Sequence, residues 1–531
     1  MFFQVFAWNT VPSSTAVSGR RTRVTLSRRT LAAIFVAMLS FATPSYAHVG
    51  SPDVYAEGQA GPYKVSIVVR PPLVIPGVAD IEVRTQTPGI DRITVTPIPL
   101  TGEASKLPPV PDAMDQPLKD SQFYTAHLWI MASGSWQIRF AVSGSRGAGV
   151  LSIPFPATAM ATRKMQTGLG VFLAALGLLL VVGMVGIVGA AARETKLPPG
   201  RSVDEKGRRR AYVAMSVTFA VLVTGIVLGN TWWKSEAANY AGYVYKPLQM
   251  DASVGQGNVL DLKLRDPGWL QQRKLDDWIP DHNHLMHLYM IRWPQMDVVF
   301  HLHPDPVATG EFQLALPSVP AGDYRLYADV VHAIGFPETI VGNIALPQIS
   351  GRPLQGDDAE ANASPLNVSQ AGDPADQSGS EQRFRLPDGY TMVWKKPAQL
   401  VPKTAVNFQF DLLGPDGTPP SDMKLYMGML GHAAFVKTDG TVFAHIHPTG
   451  TVAMAAFMMA NPQAGGQGTG GSEMSMQDMP GMGSSSRALP NSVGFPYGFP
   501  SPGQYRIFVQ MKHGNTVETG VFDADVSSAP K

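Results

Sequence analysis

The sequence predicts a mainly β protein with three immunoglobulin/cupredoxin-like β-sandwich domains and two transmembrane helices. Three observations indicate this fold class. Gly and Pro are abundant, at 52 and 45 of 531 residues, short apolar runs alternate with turn residues, and two long stretches lack any charge. Glycine and proline at this level favour turn-rich β architecture over helical bundles. A chain of this length also exceeds a single hydrophobic core, so several domains are expected.

The N-terminal region, 1–47, is typical of a secretory signal peptide. Arg28-Arg29 precedes the apolar run 31–42, and small residues end the region at Ala47, as a cleavage site requires. The arginine pair also resembles a twin-arginine export signal. An uncleaved anchor helix is the alternative. Cleavage after Ala47 would make His48 the first residue, and its amino nitrogen and imidazole together form a chelating pair suited to Cu(II).

Two uncharged stretches, 167–192 and 211–233, are long enough to cross a bilayer of about 30 Å as helices. The loop between them, 193–210, carries seven Lys or Arg residues against three acids. The positive-inside rule therefore predicts that this loop is cytoplasmic and that the β domains lie outside, at the plasma membrane of a bacterium. Neither stretch contains a charged residue or a histidine, which favours a passive anchor over an ion pathway.

The strand-rich domains are predicted at 48–161, 235–350 and 384–527. Alternation of apolar and polar residues, as in Trp136-Gln137-Ile138-Arg139-Phe140, has the two-residue period of half-buried strands. The segment 351–383 is rich in Asp, Ala, Ser and Gly without periodicity, so we expect a disordered linker. A Met-rich insert, 454–486, interrupts the third domain.

The second and third domains resemble copies of each other. Phe300-His301-Leu302-His303-Pro304 in one corresponds to Phe443-Ala444-His445-Ile446-His447-Pro448 in the other. Such self-similarity indicates an internal duplication. Each copy carries a lone histidine, an H-x-H pair and a histidine after Tyr-Arg: His287, His301, His303 and His332 in the first, and His432, His445, His447 and His513 in the second.

This pattern favours metal binding over scattered surface histidines, which are the alternative. Residues i and i+2 of a strand face the same way, so each H-x-H pair presents two imidazoles side by side. Leu302 and Ile446 should then point into their sandwiches. We expect one nitrogen-rich metal site in each copy, with His282 and His284 as supplements in the first.

Copper is the predicted metal and zinc the alternative. Imidazole alone suits zinc, copper and nickel about equally, whereas thioethers prefer Cu(I). The insert supplies thioethers at Met474, Met476, Met479 and Met482, unless it is a low-complexity linker with chance methionines. The absence of cysteine excludes thiolate zinc sites and a blue-copper centre. In the first domain, His127 together with His48 could form a histidine brace, and a surface role for His127 is the alternative.

The histidine motifs resemble those of bacterial extracytoplasmic proteins with metal-binding β-sandwich domains. The start of the first domain, His48-Val49-Gly50-Ser51-Pro52-Asp53, resembles the YtkA-like and FixH-like group, and its histidine is similar to that of the copper-resistance CopC proteins. The domain order also parallels the B subunit of copper membrane monooxygenases, at the level of fold. This resemblance implies extracytoplasmic copper binding.

The leading hypothesis is a membrane-anchored copper-binding protein for resistance, storage or delivery, with an extracytoplasmic donor or acceptor protein as partner. A copper-dependent oxidase or monooxygenase-like enzyme is the second hypothesis, and a scaffold with incidental zinc is the third. No nucleophile elbow or phosphate loop occurs, so no catalytic residue is assigned and an enzyme is less favoured. The net charge of +1 gives no field that would recruit nucleic acid.

Overall fold

A computed structural model describes residues 50–198, 200–270, 272–366, 381–462 and 488–528. Strands account for 44% of the described residues and helices for 18%, which confirms the predicted fold class. The predicted signal peptide, His48 and the four methionines of the insert lie outside the described residues.

The first domain is a sandwich of two four-stranded sheets, with strand orders β1-β2-β3-β6 and β5-β4-β7-β8. Alternating apolar residues such as Val65, Ile67 and Val69 fill the space between the sheets. Its elements are β1 (Val54–Ala60), β2 (Tyr63–Arg70), β3 (Gly77–Thr85), β4 (Ile90–Pro99), a 3-10 turn (Glu103–Lys106), β5 (Asp112–Ala113), β6 (Phe123–Ile130), β7 (Gly134–Gly144) and β8 (Gly147–Ala157).

Two helices follow, α1 (Thr167–Glu194) and α2 (Glu205–Ala241), and both are long and apolar enough to cross a membrane. Helix α2 begins earlier than the predicted span because Asp204 caps it, with its carboxylate accepting a hydrogen bond from Gly207 N at 2.7 Å. Most of their apolar side chains are exposed, and such a surface is stable in lipid rather than in water.

The second domain is built on one nine-stranded sheet in the order β13-β14-β10-β9-β16-β15-β11-β12-β17. The sheet surrounds a core that includes Leu262, Phe300 and Leu326. Its elements are β9 (Gln249–Val254), a 3-10 turn (Gln256–Asn258), β10 (Val259–Arg265), β11 (His287–Arg292), β12 (Val298–Leu302), β13 (Asp305–Ala308), β14 (Glu311–Ala315), β15 (Gly322–Val331), β16 (Pro337–Leu346) and β17 (Ala359–Asn362).

The third domain is a sandwich of two sheets, β18-β19-β20-β24 and β21-β25-β22-β23, with β26 also pairing with β25. Aromatic residues such as Trp394, Phe408 and Phe435 fill its core. Its elements are β18 (Glu381–Arg385), β19 (Thr391–Lys395), β20 (Val406–Leu413), β21 (Met423–Lys424), β22 (His432–Lys437), β23 (Phe443–Ile446), α3 (Met454–Ala460), β24 (Ser492–Tyr497), β25 (Gly503–His513) and β26 (Thr516–Val526).

The strand pairing repeats between the second and third domains. The order β16-β15-β11-β12 in one matches β26-β25-β22-β23 in the other. The register matches as well: Tyr289 pairs with His301 and Tyr327, and the equivalent Ala434 pairs with His445 and Phe508. The duplication that the sequence indicates therefore extends to the hydrogen-bonding pattern of four strands.

The prediction of a disordered linker at 351–383 is wrong at both ends, because Ala359–Asn362 forms β17 and Glu381–Arg385 forms β18. Strand β17 pairs antiparallel with β12, with Ala359 opposite His301. Burial alternates along this strand: Ala359 and Ala361 are buried, and Glu360 and Asn362 are exposed. The alternation was short and built on alanine, so its two-residue period was too weak a signal.

The first residues of the predicted Met-rich insert form α3, in which Ala455 and Ala456 are buried.

The matching sheets of the second and third domains pack against each other. Tyr289, Ile291 and Val299 from one meet Val436 and Phe443 from the other. Every residue of β12 is consequently buried, because one face of the strand lies on its own core and the other on the neighbouring domain. An additional contact stacks the rings of Tyr327 and Phe443 at 4.3 Å.

A buried carboxylate joins the end of α2 to the second domain. The Glu338 side chain accepts hydrogen bonds from Tyr245 Oη at 2.8 Å and Leu248 N at 2.6 Å, and pairs with Arg273 at 2.8 Å. Its side chain is 0% exposed and that of Arg273 is 9% exposed. This carboxylate therefore fixes the segment that follows α2 to the second domain.

We expect Glu338→Ala to destabilise the protein by about 1–3 kcal/mol, because it removes the acceptor of the buried Leu248 N–H and leaves Asp266 as the one carboxylate paired with Arg273. Thermal unfolding followed by circular dichroism would measure the loss. Glu311→Ala is the matched control, since its pair with Lys263 is exposed on both sides and should leave the midpoint unchanged. Equal midpoints for the two variants would contradict the prediction.

Candidate metal centre

The H-x-H pairs of both copies lie in the interface between the second and third domains. Leu302 and Ile446 point into their own cores, as the alternation predicts. The imidazoles therefore point the other way, onto the face that each domain packs against its copy. The expectation of one site in each copy needs correction for the second copy: His287, His301 and His303 of the second domain come together as expected, whereas the group from the third domain includes His282 of the second.

Eight histidines form one group, which we call the histidine cluster. Each ring contacts at least one other ring of the group, and the shortest distance between ring centroids is 3.8 Å, between His284 and His303. The cluster consists of His282, His284, His287, His301 and His303 from the second domain and His432, His445 and His447 from the third.

Three of these residues, His282, His432 and His447, form trio A, with one nitrogen from each lying within 4.8 Å of the others. Nδ1–H of His282 donates to the Met427 carbonyl at 2.9 Å, and Nδ1–H of His447 donates to the Val452 carbonyl at 3.2 Å. These bonds fix the tautomer and leave each Nε2 lone pair free. Both Nε2 atoms and both nitrogens of His432 are buried without a partner.

Trio B consists of His287, His301 and His303, again with nitrogens within 4.8 Å of one another. Nδ1–H of His303 donates to the Asp358 carboxylate at 2.9 Å, which leaves Nε2 buried and without a partner. A carboxylate behind an imidazole is the usual support of a metal-ligating histidine.

The other two members of trio B face each other. His287 Nε2–H donates to the Asp281 carbonyl at 2.9 Å, and His301 Nδ1–H donates to Gln510 Oε1 at 2.8 Å. In these tautomers His287 Nδ1 and His301 Nε2 both carry lone pairs, and they lie 3.2 Å apart. Two lone pairs at this distance repel each other, so the arrangement favours a cation that both can bind.

His445 lies between the trios. Its ring centroid is 5.2 Å from His287 in trio B and 4.7 Å from His447 in trio A. Asp329 lies 3.3 Å from its Nδ1, and its Nε2 is buried without a partner. His284 is at the edge of the cluster, where its ring stacks on His303 at 3.8 Å and its Nε2 lies 3.4 Å from Asp357.

Burial keeps the trios neutral. It lowers the pKa of five trio histidines well below the usual 6.5, and neighbouring imidazoles lower it further; these are His287, His301, His303, His432 and His447. The pKa of His282 is also lowered, first by burial. Neutral imidazole is the form that binds metal, so no proton has to leave first.

A cavity of about 160 Å³ reaches the cluster from the junction of the three domains. Its walls include His287, His445 and His447, together with Asp281 and Asp329. Residues 50–54, at the start of the first domain, also line it. The carboxylates make its lining attractive to cations.

His332 and His513 contact carboxylates rather than the cluster. His332 donates to Asp277 at 2.8 Å and lies 3.4 Å from Glu338. Burial opposes its protonation, but these two bonds raise the pKa of His332. His513 lies 3.2 Å from Glu518 and 3.6 Å from Asp388. The last histidine of each copy therefore lies outside the cluster, and His513 forms a separate group with Asp388 and Glu518 that could hold a metal.

The structure does not place the remaining predicted ligands in the centre. His127 is exposed, with 68% of its side chain accessible, and forms a surface pair with Asp80 at 2.8 Å. This matches the alternative of a surface histidine. His48 and the methionines Met474, Met476, Met479 and Met482 lie outside the described residues, so the predicted brace and thioether site stay predictions.

Sequence reasoning missed the groups that orient the imidazoles. Asp357 and Asp358 belong to the segment predicted to be disordered, and Gln510 lies on β25 without any motif around it. Tyr426 also approaches the cluster, with its hydroxyl 3.3 Å from His301 Nδ1. The alternation at 359–362 was the one local signal that could have placed Asp358 beside a strand.

Comparisons with known proteins leave the function open. Residues 385–528 match a domain of unknown function, DUF8832, and no curated protein matches the chain. Similar solved structures include a tetra-tandem repeat of a large adhesion protein, 8% identical over 85% of this chain and 96% of that chain, with a TM-score of 0.15. The ICAM-5 D1–D4 ectodomain is 10% identical over 88% and 77%, with a TM-score of 0.15. Likeness at this level carries no argument.

Asp358→Ala should weaken metal binding by about 10–100-fold, because it removes the acceptor that orients His303. Competition with a chromophoric chelator would measure the change. The control is Asp305→Ala, an exposed carboxylate on neighbouring β13. If the Asp358 variant bound metal as tightly as this control, the orienting role would be disproved.

Proposed function

We propose that this protein is a membrane-anchored copper-binding protein that holds copper between its second and third domains. One observation carries the proposal: two trios of buried, neutral imidazoles have nitrogen lone pairs that no protein donor satisfies. A buried polar group without a partner costs about 1–3 kcal/mol. A set of such groups converging within 4.8 Å of one another is therefore best explained by a bound cation.

The donor set favours copper over zinc. Each trio offers three neutral ligands in a buried interface, and the carboxylate of Asp358 lies behind an imidazole rather than among the ligand nitrogens. Burying a dication among neutral groups is costlier than burying a monocation, since the desolvation penalty rises with charge. Structural zinc prefers four protein ligands, and a zinc site with three histidines takes a water as its fourth ligand. Cu(I) accepts three imidazoles and carries a single charge, so it suits each trio.

The membrane helices support extracytoplasmic copper handling. The loop between α1 and α2 carries the excess of Lys and Arg expected of a cytoplasmic segment, which would put the three β domains on the opposite side. In that compartment the protein would serve copper resistance, storage or delivery, with a donor or acceptor protein as its partner. The acid-lined cavity would be the route by which copper enters.

Metal analysis of the full chain in detergent tests this function. We expect copper to be retained when copper, zinc and nickel are offered together at equal concentration. The paired variants His301→Ala/His303→Ala and His445→Ala/His447→Ala should each lose copper, whereas His127→Ala, an exposed histidine, should keep it. Unchanged copper content in both paired variants, or a preference for zinc, would refute the proposal.

A further inference from the structure

We infer that the histidine cluster holds two copper ions, one in each trio, and that in the cuprous state this pair takes up dioxygen admitted through the cavity. The inference rests on the proposed function and goes beyond it, because copper storage or delivery requires neither a second ion nor access for a small molecule.

The spacing of the rings separates the cluster into two ligand sets. Within trio A the centroids are 4.8, 4.8 and 5.0 Å apart, and within trio B they are 5.4, 5.0 and 4.7 Å apart. Between the trios, His282 and His287 are 6.2 Å apart and His301 and His432 are 6.5 Å apart. Among the described residues, the histidine nitrogens that lie within 4.8 Å of one another group into trio A and trio B, and no such group combines the two. Imidazole nitrogens bind a metal at about 2.0–2.1 Å, so each trio is placed to bind an ion of its own.

The bonds behind the imidazoles support the same division. In trio A, backbone carbonyls of the third domain hold His282 and His447. In trio B, the acceptors are Asp358, the Asp281 carbonyl and Gln510. Each trio thus has its own supporting groups, and each would keep its geometry when the other is empty.

His445 and the cavity connect the two sets. The Nε2 of His445 is buried without a partner, and its ring lies 5.6 Å from both His301 and His432. The cavity is lined by His287 from trio B, His447 from trio A and His445 between them. A molecule in the cavity therefore contacts ligands of both ions.

The size of the cavity restricts that molecule. Sites for drug-sized ligands measure about 300–1,000 Å³, whereas this cavity measures about 160 Å³. Dioxygen and water fit this space, and a large organic substrate does not. We therefore assign the exogenous ligand to the class of small diatomic molecules, with dioxygen as the reactive member.

The step balances without any further reactant. Each Cu(I) gives one electron and becomes Cu(II), and dioxygen takes both electrons to become peroxide bound to the two ions. The O–O bond order falls from two to one, and no proton is transferred in this step. The two ions together supply the two electrons, so a single ion cannot perform it.

The test uses the full chain in detergent, loaded with Cu(I) under anaerobic conditions and desalted to remove free copper. We expect two copper ions per chain and, on addition of dioxygen, uptake of one O₂ for every two copper ions. His303→Ala and His447→Ala should each retain one ion and take up no more dioxygen than the copper-free chain. His127→Ala is the control and should behave as the wild type.

A cavity variant covers the case in which the histidine variants fail to fold. Ala453 lines the cavity without being a ligand, so Ala453→Leu should keep two ions and slow dioxygen uptake at least tenfold. A chain without copper would refute the proposed function itself. A chain with one ion would leave that function standing and overturn this inference. Two ions that react with dioxygen no faster than in Ala453→Leu would overturn the dioxygen step.

Discussion

His282→Ala and His447→Ala are expected to weaken the same copper site, although the two residues are 165 positions apart in the chain and belong to different domains. Their rings lie 4.8 Å apart in trio A. Each substitution removes one of three ligands, and we expect a loss of copper affinity of at least 100-fold, or about 2.7 kcal/mol. The double variant should lose little more than either single variant, because the site is already disrupted.

A double-mutant cycle on copper affinity measures this coupling. His332→Ala is the matched control: it is a buried histidine of the second domain whose partners are carboxylates, and its effect on copper affinity should be small. If each copy held its own metal, the losses from His282→Ala and His447→Ala would add. Additive losses would therefore disprove the shared site.

Acidification should unfold the metal-free protein. The six trio histidines have a lowered pKa in the folded state, whereas in the unfolded chain each titrates near 6.5. Below that pH the unfolded state binds more protons, so the free energy of unfolding falls as pH decreases. Each histidine contributes at most about 1.4 kcal/mol per pH unit. Above pH 7 the six contributions vanish, since both states are then neutral.

Two buried carboxyls have a raised pKa, and their protonation increases the free energy of unfolding as pH decreases. Burial raises the pKa of Asp358 to about 6 and that of Glu518 to about 7. These carboxyls take up a proton in the folded state first and so favour folding on acidification. They are fewer than the six histidines, so the free energy of unfolding should still fall as pH decreases. Urea unfolding at pH 7.5 and at pH 5.5, with and without copper, measures it.

The variant His432→Leu tests whether the buried imidazoles cause this pH dependence of the free energy of unfolding. Both nitrogens of His432 are buried without a partner, so an apolar side chain removes an unsatisfied polar group. We expect the metal-free variant to be more stable than the wild type by about 1–3 kcal/mol at neutral pH. Its stability should also depend less on pH, and its copper binding at trio A should be lost. A destabilised variant with the original slope would contradict this explanation.

The sequence by itself determined the fold class, the two apolar helices and the duplication. Each depends on a local period: alternation along a strand, a long uncharged run, or a motif that recurs with its neighbours. The two-residue period also fixed which face of β12 and β23 carries the imidazoles, because it places Leu302 and Ile446 in the cores.

The tertiary structure decided which histidines meet. The sequence shows that His301 and His445 occupy equivalent places in two copies, but not that these equivalent faces pack against each other. That contact depends on apolar residues such as Tyr289 and Phe443, which come together only when both sheets have formed. Strand periodicity orients a side chain relative to its own sheet. Docking of one sheet on another is a long-range contact, and it brought the histidines of the two predicted sites into one cluster between domains.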